Sequence, residues 1–208
     1  MTIFKKYIIF FALILSPIFT NAQIGVGLTA HTDIYQRIAN PPDGLMSRSA
    51  GSVLLNLGGG PKIWIGARDF SVSFEAQASL GILGLSVSDY KGLGMLSFPI
   101  MAKLNFGGVS ALGFEGKQGF SIGGGIQYSK SELYYLSSEA KDLGVKRDYF
   151  KTFIAQAGYG FGISGFAILG YLRYGWNAET KANVFNFGIQ YDFNLPQLKK
   201  ITNPESDL

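Results

Sequence analysis

The chain has 208 residues, 47% of them apolar and 15% charged, with 18 basic side chains against 14 acidic ones, one histidine and no cysteine. The missing cysteines exclude a disulfide framework, a thiolate metal site and a lipid-modified cysteine. A nucleic-acid footprint is excluded as well: once Lys5 and Lys6 leave with the leader described next, the remaining charge is close to neutral, and it forms no arginine-rich stripe.

Lys5-Lys6 are followed by the apolar run Tyr7 to Leu15, a break at Ser16-Pro17, and small residues at Thr20-Asn21-Ala22 before Gln23. That order reads as a cleaved secretory signal peptide over 1–22. An uncleaved anchor is the rival reading, but the run is shorter than the roughly 20 apolar residues a spanning helix needs.

From Gln23 onward the pattern has a period of two. Gln23 to Tyr35 supplies the first strand. In 52–67, Val53, Leu55, Leu57, Ile63 and Ile65 alternate with Asn56, Gly58, Gly60, Lys62 and Gly66. Phe70, Val72, Phe74, Ala76, Leu80 and Ile82 stand opposite Ser71, Ser73, Glu75, Gln77 and Ser79. Leu96, Phe98, Ile100, Ala102 and Leu104 alternate with Ser97, Pro99, Met101, Lys103 and Asn105. Runs at 119–133, 149–162, 166–177 and 183–193 complete eight strands, with no room for a second domain. Arg68-Asp69 and Ile163-Ser164-Gly165 are tight turns, joined on their side by the longer 107–118. The other side carries 36–51, 84–94, 134–148 and the short 178–182.

If the strands run up and down in turn, Phe70, Phe106, Phe120, Phe161, Phe166 and Phe193 all fall at one level, as in the interfacial girdle of a transmembrane β-barrel. Tyr128, Tyr149, Tyr174 and Trp176 form a looser belt at the other end. Phe166 to Trp176 is ten residues, which a strand tilted by about 40° converts to a rise of roughly 25 Å, the height of an apolar outer-membrane band. A soluble barrel would put its large apolar residues inside, and here that set is too large to fill eight strands. The expected fold is therefore all-β, an eight-stranded antiparallel up-and-down transmembrane β-barrel over 23–193. Tight turns on the periplasmic side and an even strand number place both mature termini in the periplasm.

The face opposite the apolar set is rich in glycine and carries Lys62, Glu75, Lys103, Arg173 and Asp192. Eight strands enclose only enough space for side chains, so these charges are expected to form a hydrogen-bonded ion network that plugs the lumen. A two-residue turn at Arg68-Asp69 pairs Ala67 with Phe70 and sets Lys62 across from Glu75. The alternative for the same residues is a gated pore or proton path.

His31, with Asp33 two residues on, is the one place for histidine acid–base chemistry, and the pair reads more naturally as a hydrogen bond in the rim. No serine among Ser47, Ser49 and Ser86 stands out as a nucleophile, so no catalytic residue is assigned. Glu139, Asp142 and Asp148 share a loop with Lys141, Lys146 and Arg147, which reads as a solvated charged loop, with no metal and no cofactor expected. The glycine runs 58–60 and 123–125 lack the Gly-Lys-Ser/Thr and the helix of a phosphate loop.

Asn21-Ala22-Gln23 at the end of the leader, and a closing strand Val184-Phe185-Asn186-Phe187-Gly188-Ile189-Gln190-Tyr191-Asp192-Phe193 with alternating aromatics and a final Phe, resemble a small outer-membrane β-barrel protein of the Bacteroidetes porin-like type. The resemblance covers the mature chain as an architecture and implies contact with outer-membrane lipid and with the outer-membrane insertion machinery. Asn194 to Leu208 departs from it by continuing past the terminal Phe, as a periplasmic tail. Two roles follow. The favoured one is an interaction or scaffold barrel, an accessory subunit with a membrane-protein partner reached through loops 36–51 and 134–148 or the tail. The other is a narrow channel. A lipid-modifying enzyme using His31 ranks below both.

Overall fold

The computed structural model describes residues 22–42, 50–67, 69–86, 92–111, 117–135, 148–163 and 166–195. Residues 1–21 of the expected signal peptide, the residues beyond Leu195 and most of the long loops lie outside that set.

Alternation of apolar with small or polar residues produces strands here because each strand meets a different medium on its two faces. Ten strand segments result: β1 Gln23–Ala39, β2 Ala50–Ala67, β3 Phe70–Ala76, β4 Ala78–Gly81, β5 Leu83–Ser86, β6 Gly92–Gly107, β7 Gln118–Tyr135, β8 Phe150–Ile163, β9 Phe166–Trp176 and β10 Asn183–Asn194. β3, β4 and β5 are successive lengths of one stave, since all three pair with β2. The eight staves pair antiparallel in sequence order, and β1 pairs with both β2 and β10, which closes the ring. The fold is a closed, eight-stranded, up-and-down barrel.

The first break in the third stave has a chemical cause. Gln77 N donates to Pro99 O at 2.9 Å, and Pro99 has no N–H to return the bond. The antiparallel pair is therefore half made, and the ladder lapses between Ala76 and Ala78.

Register fixes the tilt. Directly paired residues lead from Phe70 to Phe106, Phe120, Tyr159, Gly170, Ile189, Thr32 and Leu57, and return to the third stave at Leu80, ten residues from the start. A shear of ten in eight strands tilts them by roughly 40°. Each residue then advances about 2.5 Å along the barrel axis, and each sideways step climbs about 3 Å.

The strands run further toward the long loops than the alternation predicts, to Ala39, Ser86 and Tyr135, with Gly92 as the return. The phase slips on the way. A bulge on β1 falls between Asp33 and Tyr35, another on the sixth and seventh segments beside Gly94, and Leu55 and Glu132 adopt φ of 53° and 54°. Val53, assigned by alternation to the outer face, consequently lies inside at 2% exposure. Bulges at the rim of a barrel re-aim side chains in this way.

The result is inside-out by the standards of a soluble protein. Ile24, Ile63, Phe74, Ile82, Ile100 and Leu172 are 50–75% exposed, while Lys62, Glu75, Lys103, Arg173 and Asp192 are 1–2% exposed.

Candidate functional site

Four layers fill the lumen, starting from the end with the tight turns. At Gly107 the chain takes φ of +65°, a conformation open to glycine, and folds inward. Val109, Ser110 and Ala111 are buried in the barrel mouth, Val109 against Ala167 and Leu169. Ala111 N donates to Ser71 Oγ at 3.2 Å, and Asn105 Nδ2 donates to Ser71 and Ser73 at 3.2 and 3.0 Å. Trp64 packs against Gly25, where a Cβ would come within 2.3 Å of the indole. Residues 107–111 of the long turn are thus packed into the barrel end, which the turn's length alone did not announce.

The second layer is a single connected network. Lys62 Nζ lies 2.6 Å from Asp192 Oδ2, and Lys103 Nζ lies 2.7 Å from Glu75 Oε2. Lys103 also donates to Gln190 Oε1 at 2.7 Å, and Gln190 Nε2 donates to Asp192 Oδ1 at 2.7 Å, joining the two pairs. Gln77 donates to Glu75 at 2.9 Å. Arg173 Nε donates to Gln156 Oε1 at 2.8 Å and Nη2 to Gln77 Oε1 at 3.3 Å. Lys62 and Glu75 are partners in the β2–β3 ladder, as the Arg68-Asp69 turn requires. Their charges nevertheless go elsewhere, because an ammonium on four methylenes reaches across the lumen. Gln77, Gln156 and Gln190 tie the five charged residues together. The inward phase of their strands marks them, but the partners they select depend on distances across the barrel.

The third layer centres on Asp33, fully buried at 0% exposure. Its carboxylate accepts from Tyr171 Oη, from Asn56 Nδ2 at 2.7 Å and from Asn186 Nδ2 at 2.6 Å. The Arg173 guanidinium sits 5.2 Å from the Tyr171 ring centre and links this layer to the one below. The expected His31–Asp33 hydrogen bond does not form. His31 is buried edge-on to Tyr171 at 6.4 Å, and neither ring nitrogen has a hydrogen-bond partner among the described residues. Asp33 spends its lone pairs on Tyr171 and the two amides instead, so nothing orients the imidazole for proton transfer. Ser47 and Ser49 lie outside the described residues.

The fourth layer is apolar. Ile38, Val53, Met95, Phe150, Ala182 and Val184 pack together inside the end that carries the long loops. Asp33, Glu75 and Asp192 offset Lys62, Lys103 and Arg173, and Glu132 is a further buried acid near the loop end. Charged, amide and apolar side chains thus occupy the lumen at successive heights.

Outside, the six phenylalanines lie within a band of about 7 Å, given the climb per paired step. Phe70 packs on Phe106 at 5.2 Å, Phe106 on Phe120 at 4.6 Å and Phe166 on Phe193 at 6.1 Å. β1 and β2 carry Ile24 and Ile65 in the corresponding places. Roughly 20 Å along the axis a second belt gathers Tyr128, Tyr174 and Trp176 with Phe98, Phe153 and Phe185, all outward-facing. Tyr174 stacks on Trp176 at 6.0 Å. The last three phenylalanines sit mid-pattern in the sequence, and only the shear brings them level with the tyrosines.

No family model matches the chain, and no curated protein matches it. Solved structures do. The Neisserial surface protein A (NspA) is 9% identical, with 83% of this chain and 98% of that one covered and a TM-score of 0.45. Ail, the attachment invasion locus protein of Yersinia pestis, is 14% identical over 82% of this chain and 98% of its own, with a TM-score of 0.44. The outer membrane protein OprG from Pseudomonas aeruginosa is 14% identical over 83% and 95%, with a TM-score of 0.42. This chain is similar to them in fold.

Proposed function

We propose that this chain is an integral outer-membrane β-barrel with both mature termini periplasmic, and that it serves as an interaction or scaffold element, an accessory subunit of an outer-membrane assembly. The observation that carries the membrane reading is the inversion of the barrel. Its outer wall is apolar between two aromatic belts, and its buried face holds the charged residues. In water such a wall would drive aggregation, whereas in hydrocarbon it is the stable arrangement. The side-chain-filled lumen supports a scaffold over a channel: the Val109 cluster packs inside one end and the Ile38–Phe150 cluster inside the other.

Mild-detergent purification from outer membranes, with a tag after Leu208, is the test. A stoichiometric membrane-protein partner and a flat planar-bilayer trace are expected. A solitary barrel with steady conductance that shifts when Lys62, Glu75 or Arg173 is neutralised would replace the scaffold with a narrow channel.

A further inference from the structure

We infer that the outward wall of β7 and β8, at the loop end of the barrel, is a binding site for one phosphorylated lipid headgroup of the outer leaflet. This rests on the membrane reading above. Lys130 lies two residues beyond Tyr128 on β7, and Lys151 two residues beyond Phe153 on β8, each on the outward face and toward the loops. Both therefore sit about 5 Å past the second aromatic belt, which is headgroup depth.

The two staves bring these groups side by side. Tyr128 pairs directly with Lys151 on one flank and with Phe98 on the other. Phe153 pairs with Trp176, and Phe98 packs on Tyr149 at 6.1 Å. The ammonium of Lys130 stands 5.7 Å from the centre of the Tyr149 ring, and that of Lys151 stands 5.0 Å from the centre of Phe153. Ring faces hold each cation without neutralising it. Among the described residues no ion pair joins a carboxylate to either lysine, and Asp148 beside Tyr149 is exposed.

From the loops downward, the patch reads cation, aromatic ring, aliphatic wall. Its complement reads phosphate, glycerol or sugar, acyl chain. An acidic protein segment would satisfy the lysines but leave Phe98, Phe153 and Trp176 in hydrocarbon with nothing specific to meet. A phosphorylated lipid engages both tiers at once.

The full barrel is folded into phosphatidylcholine nanodiscs containing a bis-phosphorylated lipid A, and lipid retained after detergent extraction is counted by native mass spectrometry. Wild type is expected to keep one phosphorylated lipid, and K130Q/K151Q to bind it roughly 25-fold more weakly, about fivefold for each basic residue lost at a membrane surface. K130R/K151R is expected to keep it, and added salt to release it. Unchanged retention in K130Q/K151Q, or equal retention of phosphatidylcholine, overturns the site. Failure of every variant, wild type included, to give a heat-resistant folded band in the discs overturns the membrane reading instead.

Discussion

Lys62 Nζ and Asp192 Oδ2, 2.6 Å apart and both buried, connect the second stave to the last, one on each side of β1. Gly27 of β1 is the ladder partner of Lys62 and has no side chain to block the crossing. The pair is a strap across the joint where the first and last strands meet. Asp192→Asn leaves a buried ammonium with an amide, and is expected to cost about 3–5 kcal/mol. The double change Lys62→Met with Asp192→Leu should recover most of that. Urea midpoints of the folded barrel in detergent decide it; an Asp192→Asn barrel as stable as wild type would show that the strap carries no load.

Glu75→Ala removes the carboxylate partner of Lys103, not of Lys62, so it is expected to weaken the barrel by about 3–5 kcal/mol. Adding Lys103→Met should restore stability, and adding Lys62→Met should lower it further. The reverse ranking would mean that the ladder neighbours Lys62 and Glu75 pair after all.

The Val109 cluster in one end of the lumen and the Ile38–Phe150 cluster in the other predict a particular conductance pattern. Planar bilayers with wild type, Phe150→Ala or Val109→Ala should stay at baseline, because one cap remains in each case. Phe150→Ala should still cost about 3–5 kcal/mol as a core truncation. Discrete openings in the wild-type trace would contradict a closed lumen.

Pro99→Ala supplies the N–H missing opposite Gln77. It should stabilise the barrel by about 0.5–1.5 kcal/mol, the net contribution of one hydrogen bond, and the new amide should resist hydrogen exchange. An amide at 99 that exchanges freely would place the break elsewhere.

Much of this architecture is legible in the residues. A period of two, the Arg68-Asp69 turn and the inward charges predict the staves, the Ala67–Phe70 register and the buried faces. The phenylalanines keep near one level because they close strands. What stays hidden follows from the same physics. Ile38, Val53 and Val184 are apolar yet inward, so alternation assigns Val53 to the wrong face once the strands bulge. Glutamine reveals its inward phase but not which of several charges it will bridge. The Gly107–Ala111 plug reads as an ordinary long turn, because its value lies in Val109 meeting Leu169, far away in sequence.

The most direct test of the inverted, membrane-spanning barrel is Leu172→Arg. Leu172 is 52% exposed on the outer wall, about midway between the belts. Urea unfolding in lipid vesicles should show a loss of roughly 2–4 kcal/mol against wild type, the penalty for an arginine at the bilayer midplane. An unchanged midpoint would mean that this wall faces water, and the membrane reading would fall.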